Sequence, residues 1–317
     1  MFPIIDLGIL KISSYTLMLI IGLIGYLICT ILLVENVEKI ERKASNRLLI
    51  ISIFGFIALG FFAFIFNSIF HSIEKGKIVI GGITWLGGVV GAFPITILLI
   101  YKYGYKAKGN ALYLFNFLIP GIVLAHGFGR IGCFLGGCCF GQVTDSIFGI
   151  KFPEGSLAAL TYPSSSGGSL PVLPTQLFEA IFEFLLFAVM IIGYKKLKSY
   201  NLSIYSISYG VFRFILEFFR GDDRGATGFF LSPSQFLSVV IIVAGVLLIL
   251  YQKNKVFKTL YDKMERIRQK QLNEPVENEN KQNGAIDLIR QLKNLKDEGI
   301  ISEQEFEDKK SELLNRL

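Results

Sequence analysis

The chain has 317 residues, of which 52% are hydrophobic and 18% charged, with 29 Phe and 32 Gly and a mean hydropathy of +0.54. A soluble domain runs at about 45–50% apolar and about a quarter charged. Much of the charge here sits in the last sixty-odd residues, so the remainder is too apolar to stay dissolved. The net charge of +7 reads as the bias of cytoplasmic loops and not as a nucleic-acid footprint. Four cysteines exclude a disulfide scaffold.

A spanning helix takes about 20 mostly apolar residues. In chain order the candidates are Ser14–Val34, Leu48–Phe70, Ile78–Ile100, Ala111–Leu135, Gln176–Gly193, Leu202–Phe219 and Pro233–Tyr251. No basic region or small-residue cleavage site precedes the first apolar run, which therefore reads as a retained helix. Lys39, Arg42, Lys43 and Arg47 follow the first span, Lys102, Lys106 and Lys108 the third. Lys195, Lys196 and Lys198 follow the fifth, and Lys253, Lys255 and Lys258 the seventh. The alternate loops hold only Lys75 and Lys77, then Lys151, then Arg220 and Arg224. This alternation predicts the N-terminus outside and the C-terminus inside. The loop from Phe140 to Thr175 reads as a long external connector with a turn at Ser164–Gly168, and His71 as part of another external loop.

After the last span, residues 268–284 have almost no apolar content and read as a disordered linker. Ile286, Ile289, Leu292 and Leu295 then mark one helix face. Gly299 suits the left-handed position that ends a helix. Ser302 with Glu305 forms a capping box for a second helix carrying Phe306, Leu313 and Leu314. The expected fold is thus an all-α membrane protein of about seven transmembrane helices plus a small cytoplasmic helical hairpin. Its domains are a transmembrane unit (1–252), a basic juxtamembrane segment and linker (253–284) and the hairpin (285–317).

Polar groups within a span are costly and usually face the bundle interior. Tyr209, Arg213 and Glu217 recur every four residues in the sixth span, with Arg220 three further on, and so share one face. That stripe predicts an anion site in which Arg213 grips phosphate and Glu217 holds the guanidinium. The fourth span ends in AHGFGRIGCFLGGCCFG, where His126 and Arg130 share a face and Cys133, Cys138 and Cys139 follow. Its glycines let helices or a headgroup approach the backbone. The cysteines admit a soft-metal set, though C-x4-C-C is not a recognised ligand spacing; a Cys133–Cys138 disulfide; a nucleophile activated by arginine; or inert buried thiols.

GRIGCFLGG resembles the signature of prolipoprotein diacylglyceryl transferases, Gly-Arg-x-Gly-Asn-Phe-x-Asn-Gly-Glu. SYGVFRFILEFFR is similar to the family's segment in which a Tyr and an Arg line the site. LPTQLFEA at 173–180 resembles its His-Pro-Ser-Gln-Leu-Tyr-Glu element, GGITWLGGVVGA at 81–92 its glycine-rich element, and SPSQFLSVVIIVAGV its final span. The hairpin resembles the short oligomerisation domain that ends many bacterial proteins. The resemblance implies transfer of a diacylglyceryl group, or another phospholipid-derived group, from phosphatidylglycerol to a lipobox cysteine of a prolipoprotein in the inner membrane. It assigns phosphate binding to Arg130 and Arg213, help from Tyr209, and substrate contacts to Gly87, Gly88, Gln176 and Glu217. No cofactor or metal is expected, and a homo-oligomer through 285–317 is. Departures lie at Leu86, where the family has His, and at Cys133, Gly136 and Cys138, where it has Asn, Asn and Glu. His126, Cys133 or Cys138 would then replace the lost base. The other reading is a lipid- or metal-binding membrane protein that kept the fold without transfer.

Overall fold

The computed structural model describes residues 4–6, 11–104, 111–222, 225–228, 230–254, 259, 262–263, 266 and 287–315. Expectations resting on Lys106, Lys108, Arg224, Lys255, Lys258, the 268–284 linker, Ile286 and the side chain of Leu314 lie outside the described residues. Seven helices are long and apolar enough to cross a membrane: Ser14–Val37, Arg42–Lys75, Trp85–Tyr103, Ala111–Gly136, Thr175–Ile192, Asn201–Phe219 and Pro233–Lys253. We name the α-helical parts of these spans α1 (Ser14–Ile31), α2 (Arg42–Lys75), α3 (Trp85–Leu99), α4 (Ala111–Gly136), α6 (Thr175–Ile192), α8 (Asn201–Leu216) and α9 (Pro233–Lys253), with short helices α5 (Leu157–Thr161) and α7 (Tyr194–Leu197) between them. Before α1, strands β1 (Ile4–Asp6) and β2 (Lys11–Ser13) pair antiparallel.

Two boundaries differ from expectation. His71 lies inside α2, which runs to Lys75, and bonds within it to Asn67. The third helix starts at Trp85 and not at Ile78, because Gly81 and Gly82 adopt φ values of 142° and 70° that no helix allows. The Ile78–Thr84 stretch instead lies along the end of α2, where Asn67 Nδ2 donates to the Gly81 carbonyl at 2.8 Å and Ser72 Oγ accepts from Val79 N at 2.9 Å.

Helix α4 is central: 72% of its apolar window is buried, against 22% for α2. It packs against α1 and α6, while α2 packs on α3 and α8 on α9. Outward-facing Phe54, Ile57 and Leu185 remain exposed, as expected of a lipid-facing surface. Pro120 interrupts α4 and leaves the Asn116 carbonyl without its helical donor. Asn201 Nδ2 supplies a donor at 3.2 Å, and the Asn116 side-chain oxygen accepts from Leu202 N at the start of α8 at 2.8 Å. This pairing thus fixes the register of two parallel helices, which carry His126 and Arg130 on one and Tyr209 and Arg213 on the other.

The segment after α4 is a folded cap and not a plain connector. Phe140, Phe152, Ala158 and Val172 form its small core, with Phe134, Ile150 and Tyr162 packed against them. Ser164–Gly168 is a hairpin turn, closed by Ser164 N donating to the Gly168 carbonyl at 2.9 Å.

The chain divides into two compact units, Met1–Phe257 and Lys258–Leu317. In the second, helices α10 (287–297) and α11 (Glu303–Asn315) flank Gly299, whose φ is 74°. The capping box forms as expected, with Ser302 N donating to Glu305 Oε2 at 2.9 Å and Glu305 N to Ser302 Oγ at 3.3 Å. Phe306 is its buried aromatic, flanked by the Lys296 and Lys310 ammoniums.

Gly88 sits at the α2–α3 crossing, where an added Cβ would stand 2.6 Å from the Leu59 carbonyl oxygen and 3.1 Å from the Ala63 Cβ. Gly88→Ala should therefore push the helices apart at a cost of about 1–3 kcal/mol, seen as a lower midpoint of thermal unfolding in detergent. An unchanged midpoint would contradict this packing.

Candidate functional site

The site lies at the end of the bundle where α3, α6 and α9 begin and α4 and α8 end. Its centre is Glu179 of α6, fully buried. Its Oε1 accepts from the Tyr209 hydroxyl at 2.8 Å and lies 3.1 Å from Arg130 Nη2 and 3.8 Å from His126 Nε2. Three groups from α4 and α8 thus meet at one carboxylate oxygen of α6. Glu179 Oε2 has no partner among the described residues.

His126 sits behind Arg130. Its Nε2 accepts from Arg130 Nε at 3.2 Å, so the proton of the neutral ring belongs on Nδ1. Nδ1 lies 2.7 Å from Glu183 Oε1 and 3.3 Å from the Tyr205 hydroxyl. Trp85 stacks on the imidazole with centroids 4.1 Å apart and donates its Nε1 to the Tyr205 hydroxyl at 3.4 Å. The ring is therefore locked on every edge, with one face covered by indole.

Arg213 comes from α8. Its Nη2 donates to Ser234 Oγ at 2.9 Å and pairs with Glu217 Oε2 at 2.6 Å, while Glu217 Oε1 accepts from Ser232 at 2.9 Å. Arg213 Nη1 is buried without a partner among the described residues. Arg130, Tyr209 and Arg213 line one narrow polar cleft with Thr84, Trp85, Leu86 and Ser234. The two arginines expected to converge do so. On the bundle side, an apolar cavity of about 180 Å³ lies between Tyr26, Phe93, Ile119, Tyr205 and Leu248. Tyr205 lines this cavity and, one turn on, Tyr209 lines the cleft.

Other expected residues fall elsewhere. Gly87 and Gly88 face Phe66, Leu59 and Ala63 of α2 and make a helix crossing, off the cleft wall. Gln176 is fully buried and donates Nε2 to the Cys138 carbonyl at 2.7 Å, holding the loop after α4. Cys133 and Cys138 lie with Cys139 in a group of their own, also off the cleft wall. Hydrogen bonds from the Cys133 and Cys138 thiols, aided by Arg220 and Arg130, hold the Cys139 thiol well below its ordinary range against the effect of burial. Arg220 makes two bonds to Asp222, each of 2.8 Å, and its backbone pairs with Gly141, so it clasps the cap to the end of α8. Burial pushes the Asp222 carboxyl up to about 6 against the pull of Arg220.

Glu179, Glu183, Trp85 and Tyr205 were not among the expected site residues. The signal for the first two was present: carboxylates four apart in an otherwise apolar span share a face and need buried partners.

A family model for prolipoprotein diacylglyceryl transferase matches residues 3–251, and one for a short C-terminal domain matches 287–314. Among curated relatives, a phosphatidylglycerol–prolipoprotein diacylglyceryl transferase 2 of Clostridium perfringens is 40% identical over 190 residues, covering 59% of this chain and 66% of that protein. A phosphatidylglycerol–prolipoprotein diacylglyceryl transferase of Clostridium tetani is 34% identical over 75% of this chain and 92% of its own length. One from Rickettsia felis is 31% identical over 78% and 95%. With a match that runs through all seven spans and takes in both arginines of the cleft, the chain belongs to the prolipoprotein diacylglyceryl transferase family.

Proposed function

We propose that this chain transfers the diacylglyceryl group of phosphatidylglycerol to the thiol of a lipobox cysteine in a prolipoprotein. The observation that carries the reading is the unpartnered Nη1 of Arg213 in a cleft it shares with Arg130. A buried N–H left unpaired costs about 1–3 kcal/mol. A phosphate oxygen entering the cleft would satisfy it with a charge-assisted bond. Glu179 and Glu217 fix the two guanidiniums in place, and each guanidinium has donors to spare beyond its carboxylate. The apolar cavity that begins one turn away, at Tyr205, suits the acyl chains of the donor lipid.

The reaction breaks the bond between the glyceryl carbon and the phosphate oxygen and forms a bond from sulfur to that carbon. The thiol proton must leave as sulfur attacks. Tyr209 lies on the cleft wall and already donates to Glu179, so it can accept that proton while passing its own to Glu179. The departing glycerol phosphate carries the bonding electrons, stays gripped by Arg130 and Arg213, and takes the proton back. His126 orients Arg130 from behind in this scheme. The base lost with Leu86 is thus replaced by the Tyr209–Glu179 pair, in place of His126 or a cysteine.

Lys39, Arg42, Lys195 and Lys196 lie near the bundle end opposite the cleft. The positive-inside rule then opens the cleft toward the outer face of the cytoplasmic membrane, where translocated prolipoproteins emerge. The 287–314 hairpin is too small to bury much core alone, which favours a role in self-association.

With phosphatidylglycerol and a lipobox peptide, Arg213→Ala should lower kcat/KM about 10²–10³-fold, with Arg213→Lys between it and the parent. Full activity in Arg213→Ala would contradict the assignment. Glu179→Gln should cut kcat about 10²–10⁴-fold, well beyond any loss of lipid binding that loosening Arg130 brings. A loss of binding with unchanged kcat would remove Glu179 from the proton path. Deleting residues 285–317 should leave turnover intact and shift the oligomer on native gels; an unshifted oligomer would rule out the hairpin as the contact.

A further inference from the structure

Three of the four cysteines come from one seven-residue stretch, and the sulfurs of Cys133, Cys138 and Cys139 all lie within 4.8 Å of one another. Cys133 is in the last turn of α4, and the other two follow the break at Gly137, whose φ is 68°. Cys139 itself has a φ of 62°. That left-handed conformation costs a residue with a side chain roughly 1 kcal/mol or more, and glycine would adopt it freely. The turn alone gives no reason for a cysteine there.

The loop is nevertheless held at each step. Cys138 N donates to the Cys133 carbonyl at 3.1 Å, Gln176 Nε2 to the Cys138 carbonyl at 2.7 Å, and Thr175 Oγ1 to the Cys139 carbonyl at 2.9 Å. The three thiols are free, with no disulfide among them. The oxygen of the Gln176 amide, Oε1, is buried and without a partner among the described residues. A strained loop braced so that three thiols face one another is a preformed ligand set.

The spacing fits a metal. Bonds from thiolate sulfur to a d10 ion are about 2.3 Å, which places three such sulfurs roughly 4 Å apart. The observed triangle needs to close by less than about 1 Å. No carboxylate or imidazole belongs to the group, so the donors are soft.

We propose that Cys133, Cys138 and Cys139 bind one soft d10 cation, zinc or copper(I), in a trithiolate site one helical turn beyond the Arg130–Glu179 pair. Cys133 lies three residues after Arg130 on α4, and Gln176 three residues before Glu179 on α6. With Gln176 as a fourth ligand, the ion would staple together the same two helix ends that carry the buried ion pair. Binding exchanges three S–H bonds for S–metal bonds and releases the protons to solvent, with no change of oxidation state. Copper(I) is satisfied by three thiolates. Zinc calls for a fourth donor, and Gln176, whose Nε2 already bonds the Cys138 carbonyl and whose Oε1 has no partner among the described residues, is a candidate for it. The site is independent of the transfer reaction and can be tested without it.

The test uses untagged full-length protein, purified in detergent under anaerobic reducing conditions and offered one equivalent of Zn²⁺ or Cu⁺ against a competing chelator. We expect about one metal per chain by mass spectrometry of the elements. Three thiols should alkylate more slowly with metal than without, while Cys29, buried in α1, should alkylate at the same rate in both. Cobalt(II), used as a probe, should give sulfur-to-metal charge-transfer absorption. Cys138→Ser and Cys139→Ser should each weaken metal retention about tenfold or more. Whichever of zinc and copper(I) survives the chelator identifies the ion. The parent protein's alkylation pattern decides the matter even if a variant misfolds. Equal alkylation of the three thiols with and without metal would overturn the proposal. So would metal retained undiminished by a triple serine variant, or a Cys133–Cys138 disulfide that binds no metal once reduced.

Discussion

One buried carboxylate organises the functional end of this bundle. Glu179 is fully buried, yet it meets Arg130 from α4 and Tyr209 from α8, with His126 close by. An isolated ion in such a place is prohibitively costly, so the carboxylate persists only while its partners stay in register. That requirement ties three helices together at one point. The Asn116–Asn201 clasp near Pro120 serves the same end from the other side of the bundle, since it sets how far α4 and α8 slide past each other.

Function follows from what surrounds that point. The polar cleft has arginines on its wall and a guanidinium nitrogen, Arg213 Nη1, without a partner among the described residues, and an apolar cavity opens a turn deeper at Tyr205. A phospholipid has the same division of a phosphate and two hydrocarbon chains. Leu86 places an apolar side chain on the cleft wall, where it can do no acid–base work. The same wall retains Tyr209 with its carboxylate, and the imidazole of His126 packs against the neighbouring Trp85.

The spans were legible because composition alone decides which stretches can live in lipid, and all seven appeared where the apolar runs lie. The third began late because a hydrophobic run says nothing of the two positive φ angles at Gly81 and Gly82. Arg130, Tyr209, Arg213 and Glu217 were legible because charge inside a span demands a reason. Glu179 and Glu183 carried the same signal, but the motif around them drew attention to Gln176, which turned out to hold a loop. The cap was illegible as a folded unit: its core of Phe140, Phe152, Ala158 and Val172 is spread over more than thirty residues with no periodicity. The hairpin was the easiest part to read, since the Ser302–Glu305 cap and Gly299 act locally.

The central claim is that Arg130 and Arg213 grip one phosphate group together. A double-mutant cycle on phosphatidylglycerol binding, with Arg130→Ala, Arg213→Ala and the pair, tests it most directly. Shared occupancy predicts strong coupling, with the two single losses failing to add by about 0.5–3 kcal/mol. Losses that simply add would place the two guanidiniums on separate ligands and contradict the account.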